Sequence, residues 1–236
     1  MGEIRGLRLA PRASHKEKRL AALREGREPA DPSLQEAVED AQLLGSLNLS
    51  GFDFAWEEVK ACRRGEPAHP AISGLRGAVK AVDARAPFSL AALLAWHEAV
   101  VGAAPGYRQT DRVRADAPAP APAGRIAGRL AILDQWLNAA SGHELKPVQQ
   151  GALVLARVVE ILPFEDGNGR VSRLAASHLM VRAGMRPPIL VGGDGPRLIH
   201  GLGAAFQLHL EPLAALLEEA SERCLDVMIR TLESIA

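Results

Sequence analysis

The chain has 236 residues, 47% hydrophobic and 24% charged, and its 28 Lys and Arg balance its 28 Asp and Glu for a formal net charge of +0. That length allows one large or two small domains with a substantial core, and the charge balance argues against a general nucleic-acid binder. No apolar run is long enough to span a bilayer, the first residues lack the apolar stretch of a secretory signal, and Cys62 and Cys224 show no paired spacing, so the expectation is a soluble cytoplasmic protein with reduced thiols.

Residues 1–32 are rich in Arg, Lys and Glu and are expected to form a peripheral segment with at most a short helix near residues 16–24. From about Ser33 the pattern turns helical. Ser89 is placed to cap a helix over residues 90–101. Ile126, Leu130, Leu133 and Leu137 fall at i, i+4, i+7 and i+11 and form one apolar stripe. Pro147 suits the first position of the next helix, which sets Val148, Ala152, Leu155 and Val159 on one face. Leu153, Val154, Val158 and Ile161 widen that face, as in a helix buried on most sides. A further helix is expected from near Asn168 to Ala183, with Gly184 and Pro187-Pro188 ending it, and a last long one from about Pro212 to Ile235. Strand signals are scarce: aromatics make up only 4%, and the proline-rich run at 115–124 cannot lie inside a sheet. The fold class is all-α, with at most a small β-hairpin flap over residues 107–114.

Chemistry concentrates at 162–173, Leu-Pro-Phe-Glu-Asp-Gly-Asn-Gly-Arg-Val-Ser-Arg. Gly167 and Gly169 permit positive φ and close backbone approach, and Asn168 between them tolerates the left-handed region. Such a loop aims backbone N–H groups at the positive end of the following helix. Arg170 and Arg173 lie one turn apart and lean back over the loop. Asp166 beside them would suit a Mg²⁺ ion carrying phosphate oxygens. The group fits the phosphates of a nucleotide di- or triphosphate.

The same stretch resembles the signature of the Fic (Fido) family, His-Pro-Phe-x-Asp-Gly-Asn-Gly-Arg-x-x-Arg, at every fixed position but the first, where this chain has Leu162. Leu94 to Arg108 is similar to the family's helix with Leu-x-x-His and the Tyr-Arg turn after it, residues 148–184 to the helix pair around the signature, and residues 75–79 to the segment before them. The resemblance implies a helical domain over 33–236, with a regulatory-type helix near 34–45, a core with the signature over 88–184 and C-terminal helices over 196–236. Without the full pattern, Asp-Gly-Asn-Gly would serve equally well as an interhelical turn with salt-bridging arginines.

The resemblance also implies roles. The family's histidine removes a proton from a target Ser, Thr or Tyr hydroxyl, which attacks the α-phosphate of ATP and takes AMP while pyrophosphate leaves. By that pattern Asp166 would hold Mg²⁺, the backbone of residues 167–169 together with Asn168 the α- and β-phosphates, Arg170 the β-phosphate and Arg173 the terminal one, with Phe164 anchoring the loop. Leu162 can neither accept nor donate a proton. Many members also carry a regulatory glutamate that pairs with the second signature arginine. The matching run here is Asp40-Ala41-Gln42-Leu43-Leu44-Gly45, in which Leu44 takes the glutamate's place, although Glu36, Glu39 or Asp40 could still reach the arginines.

Other candidates read as structural. His178, in the helix after the signature, and His97 look like satisfied core residues, and His143 and Glu144 like polar helix-entry residues. Glu165 is the carboxylate nearest the vacated base position. No metal-ligand cluster, Gly-x-Ser-x-Gly elbow or Walker loop occurs. Three readings stay open: a degenerate Fic domain that binds a nucleotide with Mg²⁺ but is impaired in AMP transfer, an active transferase with an altered donor or base, and an antitoxin-like or structural interaction module. The expected partners are a nucleotide or other phosphate-bearing ligand and a protein target. No nucleic acid or membrane is expected, and homo-oligomerisation is left open.

Overall fold

The computed structural model describes residues 11–25, 31–104, 106–114, 118–139, 142 and 144–235. Among these residues the chain forms ten α-helices and no strand. They are α1 (Pro11–Arg24), α2 (Pro32–Asn48), α3 (Trp56–Arg63), α4 (Pro70–Lys80), α5 (Leu90–Val101), α6 (Ile126–Asn138), α7 (Pro147–Ile161), α8 (Asn168–Arg182), α9 (Gly195–Phe206) and α10 (Glu211–Ile235).

Local chemistry sets the helix starts. The Asp31 carboxylate accepts the Ser33 N–H at 2.9 Å ahead of Pro32, and the Ser89 hydroxyl accepts the Ala92 N–H at 3.1 Å. Prolines open α4 and α7, where a missing N–H costs nothing. The stripe Ile126, Leu130, Leu133 and Leu137 is buried. So is nearly every residue of α7 from Gly151 to Ala156, with Val158 and Ile161. This helix is the axis of the molecule. It packs most extensively on α8 and also meets α6, α9 and α10, while α5 lies against α8 and α4.

Two contacts position the helices around the site. A Cβ on Gly45 of α2 would stand 1.6 Å from the Leu190 carbonyl oxygen, so only glycine lets α2 press against that segment. Asp40, 1% exposed, takes Arg76 of α4 at 2.5 Å and Arg63 of α3 at 3.0 Å.

Three expectations change. The hairpin flap does not form: residues 106–114 carry no strand, and the segment is tied instead through Arg108, whose guanidinium takes the carbonyls of Thr110, Ala121, Ile161 and Leu162. Glu36 and Asp40 do not reach the signature arginines but pair with Arg63, and Asp40 with Arg76. Glu39 accepts from Gln35 on its own helix. Of the N-terminal segment expected at the periphery, α1 is docked on α10: Leu20 is 1% exposed beside Leu225, Ile229 and Leu232, and Lys16 pairs with Glu222 and Asp226. Residues 1–10 and 26–30, like His143, lie outside the described residues. No described helix is long and apolar enough to cross a membrane.

Candidate functional site

The α7–α8 junction is built from the main chain upward. α7 ends on Leu162 in the left-handed region, φ 52° and ψ 60°, with its N–H bonded to Val158 O at 3.0 Å. A leucine there costs on the order of 1 kcal/mol relative to extended or helical backbone. Arg108 offsets that strain. Its Nε donates to Leu162 O at 2.7 Å, Nη1 to Thr110 O at 2.5 Å, and Nη2 to Ala121 O and, at 3.4 Å, to Ile161 O. The Arg108 backbone N–H reaches Pro163 O at 2.9 Å. With only 2% of its surface exposed, this arginine serves the chain by clamping the flap to the end of α7.

Phe164, fully buried, stacks on the His97 ring at 3.7 Å with 8° between planes. The His97 Nε2–H donates to the Asp166 carbonyl at 3.1 Å, because a carbonyl can only accept. That leaves Nδ1 bare, buried and without a protein partner. Burial, reinforced by the Arg170 charge and opposed by its bond to Asp166, holds the His97 pKa below its ordinary value. Asn168 is committed inside the loop: its Oδ1 accepts the Phe164 N–H at 2.9 Å and its Nδ2 donates to Phe164 O at 2.9 Å. Its side chain is therefore taken, and what it can offer a ligand is its backbone N–H.

Gly167, at φ 79°, has no room for a side chain: a Cβ would lie 2.9 Å from Val101 Cγ1. It precedes α8 without any side-chain cap, and the first backbone bond there runs from Val171 N–H to Gly167 O at 3.0 Å. The N–H groups of the first turn thus point out of the helix end, at its positive pole. Arg170 is buried below the loop, where Nη2 donates to Asp166 Oδ2 at 2.8 Å, Nη1 to Val100 O at 3.4 Å, and the cation lies 5.6 Å above the Phe52 ring. Asp166 itself is 82% exposed at the side chain, so its other oxygen faces outward.

Arg173 meets the end of α2. Nε donates to Ser46 Oγ at 2.9 Å, and Nη2 donates to Ser46 O and Ser50 Oγ, each at 2.6 Å. No carboxylate pairs with it among the described residues. Burial and the charge of Arg170 push its pKa down to about 9, which marks a cation short of a counter-charge. Leu44 is turned away: it lines a separate cavity of about 690 Å³ between α2, α3 and α10, which Arg173 does not line. Glu165 is held by Arg112 of the flap, with Thr110 Oγ1 at 3.5 Å from its other oxygen. His178, 2% exposed, packs against the Trp96 ring 5.3 Å away, and both its nitrogens lack partners.

Around one cleft of about 470 Å³ the structure thus gathers Leu162, Asp166, Gly167, Asn168, Gly169, Arg170 and Arg173. Phe164 lies beneath as the loop's buried anchor. Sequence reasoning missed the roles of Arg108, Arg112, Ser46 and Ser50. Only the oddity of two more arginines close to Arg108, at 112 and 114, hinted at the flap's part.

The residue types fit a phosphate chain: outward amides, one counter-charge-poor arginine and one exposed carboxylate. No group of three or more His, Cys, Asp or Glu that could hold a metal exists among the described residues. A divalent cation at Asp166 would therefore be shared with phosphate oxygens and water.

Comparison with known proteins decides the kinship. The family model for the Fic/DOC family matches residues 87–180, which include the whole loop. Residues 87–180 are a Fic/DOC-type segment. It is 37% identical to the protein adenylyltransferase Fic of Drosophila mojavensis over 106 residues, 43% of this chain and 21% of that one. It is 26% identical to that of Drosophila grimshawi over 238 residues, 90% of this chain and 49% of that one. The chain thus spans less than half the length of either relative. Its fold is similar to that of a Fic-domain-containing signalling protein from Bacteroides thetaiotaomicron, with a TM-score of 0.79 at 18% identity, covering 94% of this chain and 98% of that one. It is also similar to Fic-1 from C. elegans, with a TM-score of 0.76 at 19% identity, covering 95% and 74%. A more distant likeness, TM-score 0.56 at 15% identity and covering 89% and 70%, is to IbpAFic2 in complex with adenylylated Cdc42.

Proposed function

We propose that this Fic domain binds Mg·ATP or another nucleotide through its phosphates and is impaired in AMP transfer to protein hydroxyls. The carrying observation is Leu162, an aliphatic side chain on the wall of the cleft that also holds Asp166, Arg170 and Arg173. By the family's pattern Asp166 would share Mg²⁺ with the phosphates, the amides of residues 167–169 would face the α- and β-phosphates, Arg170 the β-phosphate, and Arg173 the terminal one. The chemistry that Mg²⁺ supplies when bound is neutralisation of phosphate charge. The chain's own residues supply orientation, through the clamped loop, and a cationic wall. They lack the step that activates a hydroxyl, which a positioned base accelerates by roughly 10²- to 10⁴-fold.

Relatives named adenylyltransferases and a Fic protein seen with adenylylated Cdc42 support a nucleotide donor and a protein target as partner classes. The two free thiols, Cys62 and Cys224, suit the reducing cytoplasm.

Thermal unfolding with and without ligand tests the reading. At a hundred times its Kd, a nucleotide adds about 2.7 kcal/mol, which raises Tm by about 5–10 °C in a chain of this size. The rise should need Mg²⁺ and vanish in Arg173→Ala. If Mg·ATP, ADP and cytidine- or uridine-diphosphate donors all leave Tm unchanged, the cradle is a relic and the interaction-module reading takes its place.

A further inference from the structure

Resting on the nucleotide reading above, we infer that the acceptor served by this cleft is an already ionised phosphate, seated by Arg112, onto which AMP passes from ATP.

The inference begins with an inventory of proton acceptors. Leu162 has none. Asp166 receives Arg170, and Glu165 receives Arg112 with Thr110 beside its other oxygen. The His97 Nε2 is spent on Asp166 O, and the ring is buried under Phe164. His178 is sealed against Trp96. The base position itself offers no proton acceptor, and the two carboxylates of the cleft, Asp166 with one oxygen outward and Glu165, each face an arginine. A phosphate monoester needs no such help, because its second ionisation lies near pH 6 and its oxygens are anionic at neutral pH.

The charge of the walls points the same way. Arg112, Arg170 and Arg173 face Glu165 and Asp166, an excess of one cation before any ligand enters. Arg170 and Arg173 are anchored at the loop and the end of α2. Arg112 belongs to the flap, lines the cleft with Leu162, and has a side chain 47% exposed. Its pairing with Glu165 is a surface ion pair, the kind that exchanges partners at little cost. A guanidinium fork of this sort takes two phosphate oxygens at once and leaves the third to attack.

In the step itself an acceptor phosphate oxygen forms a bond to the α-phosphorus of ATP, the bond from that phosphorus to the oxygen bridging it to the β-phosphate breaks, and pyrophosphate leaves with the electron pair. No proton has to leave the attacking oxygen. With inorganic phosphate as acceptor the products are ADP and pyrophosphate.

The experiment incubates the protein with Mg·ATP and radiolabelled inorganic phosphate and follows label into ADP, with thermal unfolding under Mg·ATP run in parallel. Labelled ADP should form with saturation in phosphate. Arg112→Ala should raise KM for phosphate by about tenfold or more, as expected for losing a charged hydrogen-bonding pair, and more than it raises KM for ATP. Arg112→Lys should fall between. If Mg·ATP raises Tm but no labelled ADP appears above a protein-free control, the inference is overturned. The same holds if label from the α-phosphate passes instead to hydroxyl- or carboxylate-bearing peptides. If Mg·ATP leaves Tm unchanged, the nucleotide reading itself falls, and the inference with it.

Discussion

Replacing Leu162 with histidine inserts the missing proton acceptor into a loop whose backbone is already set. Leu162 is half-buried, so the exchange forfeits part of the 1.5–3 kcal/mol of a fully buried leucine, about 1 kcal/mol. Histidine tolerates the left-handed conformation at φ 52° better than leucine does, which returns a few tenths. The Arg108 bond to the residue 162 carbonyl involves no side-chain atom of that residue and should survive. The net cost, about 0.7 kcal/mol, lowers Tm by about 1–3 °C. Against that, AMP transfer to a hydroxyl-bearing peptide should rise by roughly 10²- to 10⁴-fold. The neutral imidazole is the active form, so the rate should climb with pH through about 6.5 and then level off. No carboxylate holds Arg173 among the described residues, so no activating deletion should be needed. The assay is transfer of label from the α-phosphate of ATP to a mixed Ser/Thr/Tyr peptide library, beside calorimetric binding of Mg·ATP. A folded Leu162→His protein that binds Mg·ATP and labels no hydroxyl would refute the reasoning and place the defect elsewhere, first in the flap at residues 106–114.

Further outcomes follow from individual contacts. Arg108→Met leaves the carbonyls of Thr110, Ala121, Ile161 and Leu162 without their donor; it should cost about 3 kcal/mol or more in urea unfolding and open the flap to limited proteolysis. Ser50→Ala removes one hydroxyl from Arg173; the free protein should lose about 1 kcal/mol while calorimetric affinity for Mg·ATP rises a few-fold, and a fall in affinity would mean that the hydroxyl itself touches the ligand. Burial holds the His178 pKa below 6.5, the nearby Arg182 adding to the effect and Asp83 opposing it. The unfolded chain therefore takes the proton first, and stability is full above pH 6.5 and falls as pH drops below it. His178→Met should shrink that loss between pH 7.5 and 5.5 in urea midpoints, leaving the share that belongs to His97. Gly45→Ala drives a methyl to 1.6 Å from Leu190 O and should cost about 2 kcal/mol or more in thermal unfolding by forcing α2 outward.

Much of the fold is legible in the chain because it rests on short-range patterns. The four-residue stripe of α6, the broad apolar surface of α7, the serine before Leu90 and the prolines at helix starts each depend on neighbours within a turn or two. The loop's glycines and paired arginines are legible for the same reason. What escapes the sequence depends on distant partners. Nothing in the spacing tells that Asn168 turns inward to Phe164 while only its N–H faces out. The face of α2 is equally hidden: Leu44 and Ser46 are two residues apart, which on a helix puts them about 200° apart, so a match shifted by two residues in register puts the opposite face of the helix beside Arg173. The flap is tied down by an arginine, Arg108, to a carbonyl 54 residues away in sequence, that of Leu162, a partner no local pattern announces.

The clamp on Leu162 also bears on how such a chain can change over time. Residue 162 is held in place through its carbonyl, by Arg108, and through its amide, by Val158, while the loop beyond it is closed by Asn168 and by the stacked pair of Phe164 and His97. None of these contacts involves the 162 side chain. The position behaves as a socket: what is plugged into it can be exchanged while the fitting keeps its shape. A lineage could thus lose or regain a proton acceptor there by a single substitution, trading one kind of acceptor for another without refolding the cradle around it.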